Sequence, residues 1–247
     1  MRLTVLGSCG AWPEPGQACS GYLIEHDGFR LVVDLGYAVV PRLLSRVSAT
    51  GVDAVLISHG HPDHCADLNP LLRARVLRED PPPPLPVYAP AGALNAVLAL
   101  DRPGMLDDGY RLRELTPGED LVIGPFAVET RLLPHWWPNA GIRLTAGGRA
   151  LAYTGDTGPS SDVATLARDA DLLLAEASYI DHVPEDSRRH LSSARLQGRQ
   201  AAEAEVRHLV LTHLMPGTDP AAARAAARRG YHGEVSVARA DLVLDVG

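Results

Sequence analysis

Apolar residues come in short runs along the N-terminal part of the chain. Arg2–Gly7, Gly21–Glu25 and Arg30–Asp34 are rich in Val, Leu and Ile and are separated by Gly, Pro and Asp. Runs of this length bounded by turn residues predict strands. Asp53–Ser58 reads as a further, buried strand. Ala38–Ser48 instead spaces its apolar residues as a helix does, with Pro41 tolerable in a first turn. Leu68, Leu71, Leu72 and Val76 fall on one face of a second helix.

The later part of the chain repeats the scheme. Leu121–Ile123, Phe126–Leu133, Gly141–Thr145 and Arg149–Thr154 read as strands, the last two joined at Gly147–Gly148 as a hairpin. Ser160–Arg168, Ser192–Ala204 and Asp219–Arg229 read as helices, the last with Asp219 as N-cap and Pro220 at its first position. Leu172–Ala175, Arg207–Thr212, Val235–Ala238 and Leu242–Val246 complete the strands. The four prolines Pro81–Pro84 predict a stiff exposed connector. Two β-rich halves, each with helices, predict an α/β fold with two sheets face to face and helices outside.

Composition narrows the picture. A chain of 247 residues, 46% hydrophobic, is ample for one large core, so residues 1–247 are read as a single domain. The net charge of -7 argues against a stable nucleic-acid partner or a membrane surface, but not against a small anionic substrate held by metal ions. Cys9, Cys19 and Cys65 are odd in number and form no C-x-x-C pair, which suits a reducing compartment and leaves one bridge plus a free thiol as the alternative. Met1–Gly7 lacks the apolar core of a signal peptide, and no run approaches a membrane span, so a cytoplasmic location is expected.

The chemistry concentrates in His59-Gly60-His61-Pro62-Asp63-His64. Three imidazoles and a carboxylate lie within one loop directly after a strand, where the side chains can converge. That donor set suits zinc or another borderline divalent ion. A single H-x-H pair would be weak; the full string is far more specific. Further along, Asp156 sits in a Gly-Asp-Thr turn, His135 and His213 follow apolar strands, and His190 precedes the serines of a helix start. Taken alone, each has an ordinary reading: a turn residue, a satisfied core histidine, a surface histidine.

The string His59–His64 resembles the H-x-H-x-D-H signature of the metallo-β-lactamase superfamily, and the likeness runs almost end to end. Leu6-Gly7-Ser8 resembles the family's opening turn, Asp34-Leu35-Gly36 its D-x-G, Tyr153–Thr157 its GDT strand end, and Leu211–Leu214 its last histidine strand. The resemblance implies a four-layer αββα sandwich holding two divalent metal ions, zinc first, with manganese or iron as alternatives. It implies that His59, His61 and His135 hold one ion, that Asp63, His64 and His213 hold the other, and that Asp156 bridges them. Asp63 would also orient or deprotonate the shared water, and Glu176 would support a ligand histidine from behind.

Within the superfamily the chain resembles the ribonuclease Z-like branch, where the His190-Leu191-Ser192 histidine serves the leaving group. Zinc β-lactamases commonly carry cysteine where this chain has Asp156, whereas phosphodiester hydrolases commonly carry aspartate. Gly21-Tyr22-Leu23 and Gly155–Gly158 fit the small bacterial cyclic-nucleotide phosphodiesterases of that fold. The interval from Asp156 to His190 leaves no room for a long tRNA-gripping arm. The expected activity is hydrolysis of a small phosphodiester, such as a 3′,5′-cyclic nucleotide, by a metal-bridging hydroxide. The alternatives are hydrolysis of a thioester, lactone or other ester, and cleavage at a tRNA 3′ end. A homodimer is compatible with the family. Trp136 and Trp137 read as core or interface packing, with an apolar acyl pocket as the other possibility.

Overall fold

In the computed structural model, which describes residues 1–247, alternate residues of each inner strand go to different cores. The first sheet contains β1 (Arg2–Gly7), β2 (Gly21–His26), β3 (Phe29–Leu35), β4 (Ala54–Leu56), β5 (Leu85–Pro90), β6 (Tyr110–Leu115) and β14 (Val243–Asp245). Its order is β14-β1-β2-β3-β4-β5-β6. The second contains β7 (Asp120–Ile123), β8 (Phe126–Leu133), β9 (Asn139–Ala146), β10 (Arg149–Tyr153), β11 (Leu172–Glu176), β12 (His208–Thr212) and β13 (Glu234–Val237). Its order, β13-β12-β11-β10-β9-β8-β7, gives each sheet an antiparallel part and a parallel part.

Leu31 and Val33 of β3 face the space between the sheets, together with Leu172 and Leu174 of β11 and Tyr153 of β10. Val32 and Leu35 face outward onto α1 (Val39–Leu44) and α3 (Leu68–Val76). Leu173 and Ala175 face outward onto α5 (Ser161–Ala167), α6 (Ala194–Glu203) and α7 (Pro220–Ala227). Three cores between four layers make the αββα sandwich expected of the sequence. The outermost core of the C-terminal half is built mainly of alanine, which lets its helices lie close on the sheet. No helix is long and apolar enough to cross a membrane.

The differences from the sequence reading are local. The helix expected over Ala38–Ser48 is confined to Val39–Leu44: Ala38, with a φ of 65°, cannot begin it, and it ends at the cap residue Ser45. The loop expected at His59–His64 contains one helical turn, α2 (Pro62–Cys65), with Pro62 at its start. β5, β6 and the single turn α4 (Asn95–Leu98) carry no clear apolar period: β5 holds two prolines, and exposed Arg111, Arg113 and Glu114 fill edge strand β6. All three cysteines are buried and free.

Gly36, after β3, fixes how closely the metal-loop segment can approach. A Cβ there would lie 1.9 Å from the Asp63 carbonyl oxygen and 2.8 Å from Cys19 Cβ. Both are inflexible neighbours, so Gly36→Ala must push Asp63 away. The expected result is a loss of about 1–3 kcal/mol in urea unfolding, as for other overpacked sites, with weakened metal binding. A variant of unchanged stability and affinity would show that the segment yields freely.

Candidate metal centre

Strand ends place the donors. His59 and His61 follow β4, Asp63 and His64 occupy the turn α2, and His135, Asp156 and His213 follow β8, β10 and β12. These strands come from both sheets, so the donors meet where the two halves of the chain join. Two sets of ligand atoms converge: His59, His61, His135 and Asp156 in one, and Asp63, His64, Asp156 and His213 in the other, with the atoms of each set within 4.8 Å of one another. All seven residues carried from the family signature are therefore brought together, with Asp156 shared.

The spacing is that of a coordination shell. His61 Nδ1 lies 3.1 Å from His59 Nε2 and 2.9 Å from His135 Nε2. His213 Nε2 lies 3.1 Å from Asp63 Oδ2 and 3.3 Å from Asp156 Oδ2, and His64 Nε2 lies 3.3 Å from Asp156 Oδ1. Ligands at about 2.0–2.1 Å around a tetrahedral zinc ion stand roughly 3.3–3.4 Å apart. His64 Nε2 and Asp156 Oδ1 are buried without a hydrogen-bond partner, a deficit that a cation would remove. This is a dinuclear metal-binding site of the kind found in metallo-β-lactamase-fold hydrolases.

The far side of each ring fixes its tautomer. His64 Nδ1 donates to Asp34 Oδ2 at 2.8 Å and His135 Nδ1 donates to the His190 carbonyl at 2.8 Å. Ser58 Oγ gives its proton to Asp34 Oδ2, so it accepts from His59 Nδ1 at 3.1 Å. His213 Nδ1 meets Ser178 Oγ at 3.0 Å. In His59, His64 and His135 the Nε2 atom is thereby turned to the cluster, the arrangement that metal-binding histidines require. Asp63 Oδ2 also accepts the Ala11 N–H at 2.9 Å. Asp34, Ala11 and His213 hold φ values of 58°, 60° and 56°, a left-handed backbone that is rare outside glycine. Such conformations persist where surrounding contacts over-determine them.

Burial and charge divide the two sets. Burial among other imidazoles holds His59 well below its usual value, burial lowers His61, and burial brings His135 down to about 4. These three are neutral donors at neutral pH. Burial also opposes charge on His64 and His213, but Asp156 and Asp63 outweigh it and raise both. Asp63 and Asp156 are held below the usual carboxylate range by the same histidines, against the effect of burial. Burial pushes the Cys65 thiol up to about 12, so it does not offer a thiolate to the centre.

Glu176 touches no ligand directly. Its Oε1 accepts from Ser178 N at 2.8 Å, and Ser178 carries the contact to His213. His190 lies at the rim: its ring stacks on Trp136 at 4.7 Å and 27°, its Nδ1 is buried without a partner, and its carbonyl holds His135. Gly158 makes this possible, because a Cβ there would meet the Arg189 carbonyl at 2.1 Å. Arg188 pairs with Glu185 in solvent. Trp136 and Trp137 are not core residues; both are half-exposed, with ring centroids 6.5 and 6.4 Å from His61. Ala11, Ser58, Tyr153 and Ser178 were not singled out from the sequence, and Asp34 only as part of D-x-G. A buried aspartate closing an apolar strand was the one available signal.

Residues 17–214 match the β-lactamase superfamily domain. The chain is similar to a probable metallo-hydrolase of Bacillus subtilis, YhfI, with 31% identity over 99% of this chain and 100% of that protein. The crystal structure of YhfI superimposes with a TM-score of 0.89 at 29% identity, covering 98% of each chain. Ribonuclease Z of Haloferax volcanii is 27% identical over 100% of this chain and 95% of its own. The short form of human tRNase Z shares the fold, with a TM-score of 0.81 at 22% identity and all of both chains covered.

Two outcomes follow from this geometry. Asp34→Ala leaves the His64 ring unheld and should weaken zinc binding about 10- to 100-fold in a chelator competition assay. The raised His64 and His213 stabilise the metal-free fold below their unfolded value of about 6.5, and that contribution is lost as pH rises through their folded values. The melting temperature of chelator-stripped protein should therefore fall as pH rises above about 6.5, while metal-loaded protein, whose imidazoles carry no such protons, should not follow it. Parallel pH profiles would contradict the assignment.

Proposed function

The chain belongs to the metallo-β-lactamase superfamily and is a metal-dependent hydrolase, and on that premise we propose that it hydrolyses phosphodiesters. The observation that carries the reading is Asp156. Its Oδ1 lies 3.3 Å from His64 Nε2, while its Oδ2 lies 3.9 Å from both His59 Nε2 and His135 Nε2. A carboxylate shared in this way brings two cations close enough for in-line displacement at phosphorus. His59, His61 and His135 would hold one ion and Asp63, His64 and His213 the other, with Asp156 common to both. The nitrogen and oxygen donors suit zinc and also accept manganese or iron.

Divalent ions bound there supply Lewis acidity toward phosphoryl oxygens and acidify water. The protein's own groups do the rest. Asp63, kept ionised by His64 and His213, would orient the attacking water as a hydrogen-bond acceptor. Asp34, Ser58 and Ser178 keep the ligand rings in register. His190, entering the step protonated, would donate its proton to the leaving oxygen and be recharged from solvent, and its backbone carbonyl ties it to His135 at 2.8 Å. Residues 1–247 act as one catalytic domain, and three free cysteines accord with a reducing, cytoplasmic setting.

The relative named ribonuclease Z supports an RNA phosphodiester as the substrate, ahead of the cyclic nucleotide expected from the sequence alone. The cyclic nucleotide stays as the second reading for a specific reason. Between Asp156 and His190 lie only α5, β11 and a loop, and the net charge is -7, so the means of gripping a large RNA are sparse.

Metal-reconstituted protein should cleave bis-p-nitrophenyl phosphate and one of two natural substrates, a transcript with a 3′ trailer or cyclic AMP. His190→Ala should lower kcat about 10²- to 10⁴-fold on the natural substrate. A protein with two ions per chain that leaves every phosphodiester intact but cleaves a thioester or lactone would sink this reading.

A further inference from the structure

Two of the chain's three tryptophans, Trp136 and Trp137, border the metal centre. Trp12 follows Ala11, whose N–H is bonded to Asp63, and it is 52% exposed. Trp136 and Trp137 follow His135 and are 51% and 46% exposed. Trp136 meets His135 edge-on at 5.2 Å and lies along the His190 ring, while Trp137 approaches His61 edge-on. The core between the sheets, by contrast, takes its aromatic rings from Tyr22, Tyr153 and Phe126. Two of the largest rings of the chain are thus half in water beside one site.

We propose that Trp136 and Trp137 are stacking residues that hold unpaired nucleobases next to the scissile phosphodiester. The inference rests on the phosphodiester reading above and adds to it the part of the substrate that is recognised. Flat indole faces suit heterocyclic bases and discriminate little among them. Charge points the same way. A chain of net charge -7 has little general attraction for a polyanion, so affinity beyond the metal centre must come from contacts that do not depend on charge. A cavity of about 280 Å³ beside the metal loop, lined by Tyr37, Gly60, Pro62, Ala93, Val97 and Leu100, is the place that would suit an aliphatic group, and the tryptophans do not line it.

Because two of the three tryptophans lie at this site, the intrinsic fluorescence of protein carrying Trp12→Phe reports on it directly, without turnover. The experiment titrates metal-reconstituted protein with 5′-AMP, with single-stranded hexauridylate and with its abasic counterpart. Saturable quenching is expected from base-bearing ligands and not from the abasic strand. Quenching by 5′-AMP at concentrations similar to the hexanucleotide points to a small nucleotide as the source of the base; quenching by the hexanucleotide alone points to an RNA strand. Trp137→Ala should weaken this binding about 5- to 150-fold, the range of stacking losses per base, raising KM far more than it lowers kcat. Trp137→Phe should restore most of the loss, which a merely structural role would not explain.

Phosphodiester cleavage with no base-dependent quenching would overturn the stacking proposal and leave the hydrolase reading intact. Base-dependent quenching without cleavage of any phosphodiester would overturn the hydrolase reading and keep the stacking. Tryptophan emission that depends on protein concentration, with Trp137→Ala dissociating a dimer, would assign the rings to a subunit contact and overturn the proposal.

Discussion

Asp34 is wholly buried and accepts four hydrogen bonds from three elements: Ser58 through N and Oγ, His64 through Nδ1, and Tyr153 through its hydroxyl, at 2.7–2.8 Å. A carboxylate cut off from water without such partners would be prohibitively costly, so the donors must be in place for the fold to form. Each belongs to a different task. Ser58 ends the strand that delivers the metal loop, His64 faces the centre, and Tyr153 comes from the opposite sheet. The network therefore sets the spacing of the two sheets and the aim of one ligand ring together. The metal centre is built outward from a structural joint.

The electrostatics follow from that joint. Asp63 and Asp156 are drawn toward ionisation by His64 and His213, and those histidines toward protonation by the carboxylates. On the other side, burial outweighs the pull of the nearby carboxylates on His59, His61 and His135, which crowd together and remain neutral. One half of the centre is thus a set of proton-loaded pairs and the other a set of bare lone pairs. A cation satisfies both, by displacing protons in the first and filling a gap in the second.

Much of this was legible in the sequence because metal ligation demands particular residue types at strand ends. His59–His64 stands out as a string, and the apolar runs before His135, Asp156 and His213 mark where each strand stops. The inner strands were legible for the same reason, since burial on both faces leaves an unbroken apolar run. β5 and β6 were not, because prolines and exposed charges at a sheet edge erase the period. Nor were Ser178 and Ala11, whose roles rest on a hydroxyl and a backbone N–H that any loop might supply. Of the packing expected for Trp136 and Trp137, only burial in the core fails: indoles are mostly buried on average, and only the fold shows these at the surface beside the centre.

The alanine-lined layer behind the second sheet contrasts with the Leu- and Val-rich layer behind the first. Alanine has no side-chain rotamers to lose, so this backing gains rigidity at little entropic cost. It also leaves nothing to trim. Over evolutionary time the two outer layers can drift only in opposite senses. Behind the first sheet a side chain may shrink at the cost of a cavity, whereas behind the second any enlargement must lift a whole helix. The C-terminal half should therefore keep its outer geometry through long divergence, and variation among descendants should collect in the N-terminal helices and in the loops around the centre.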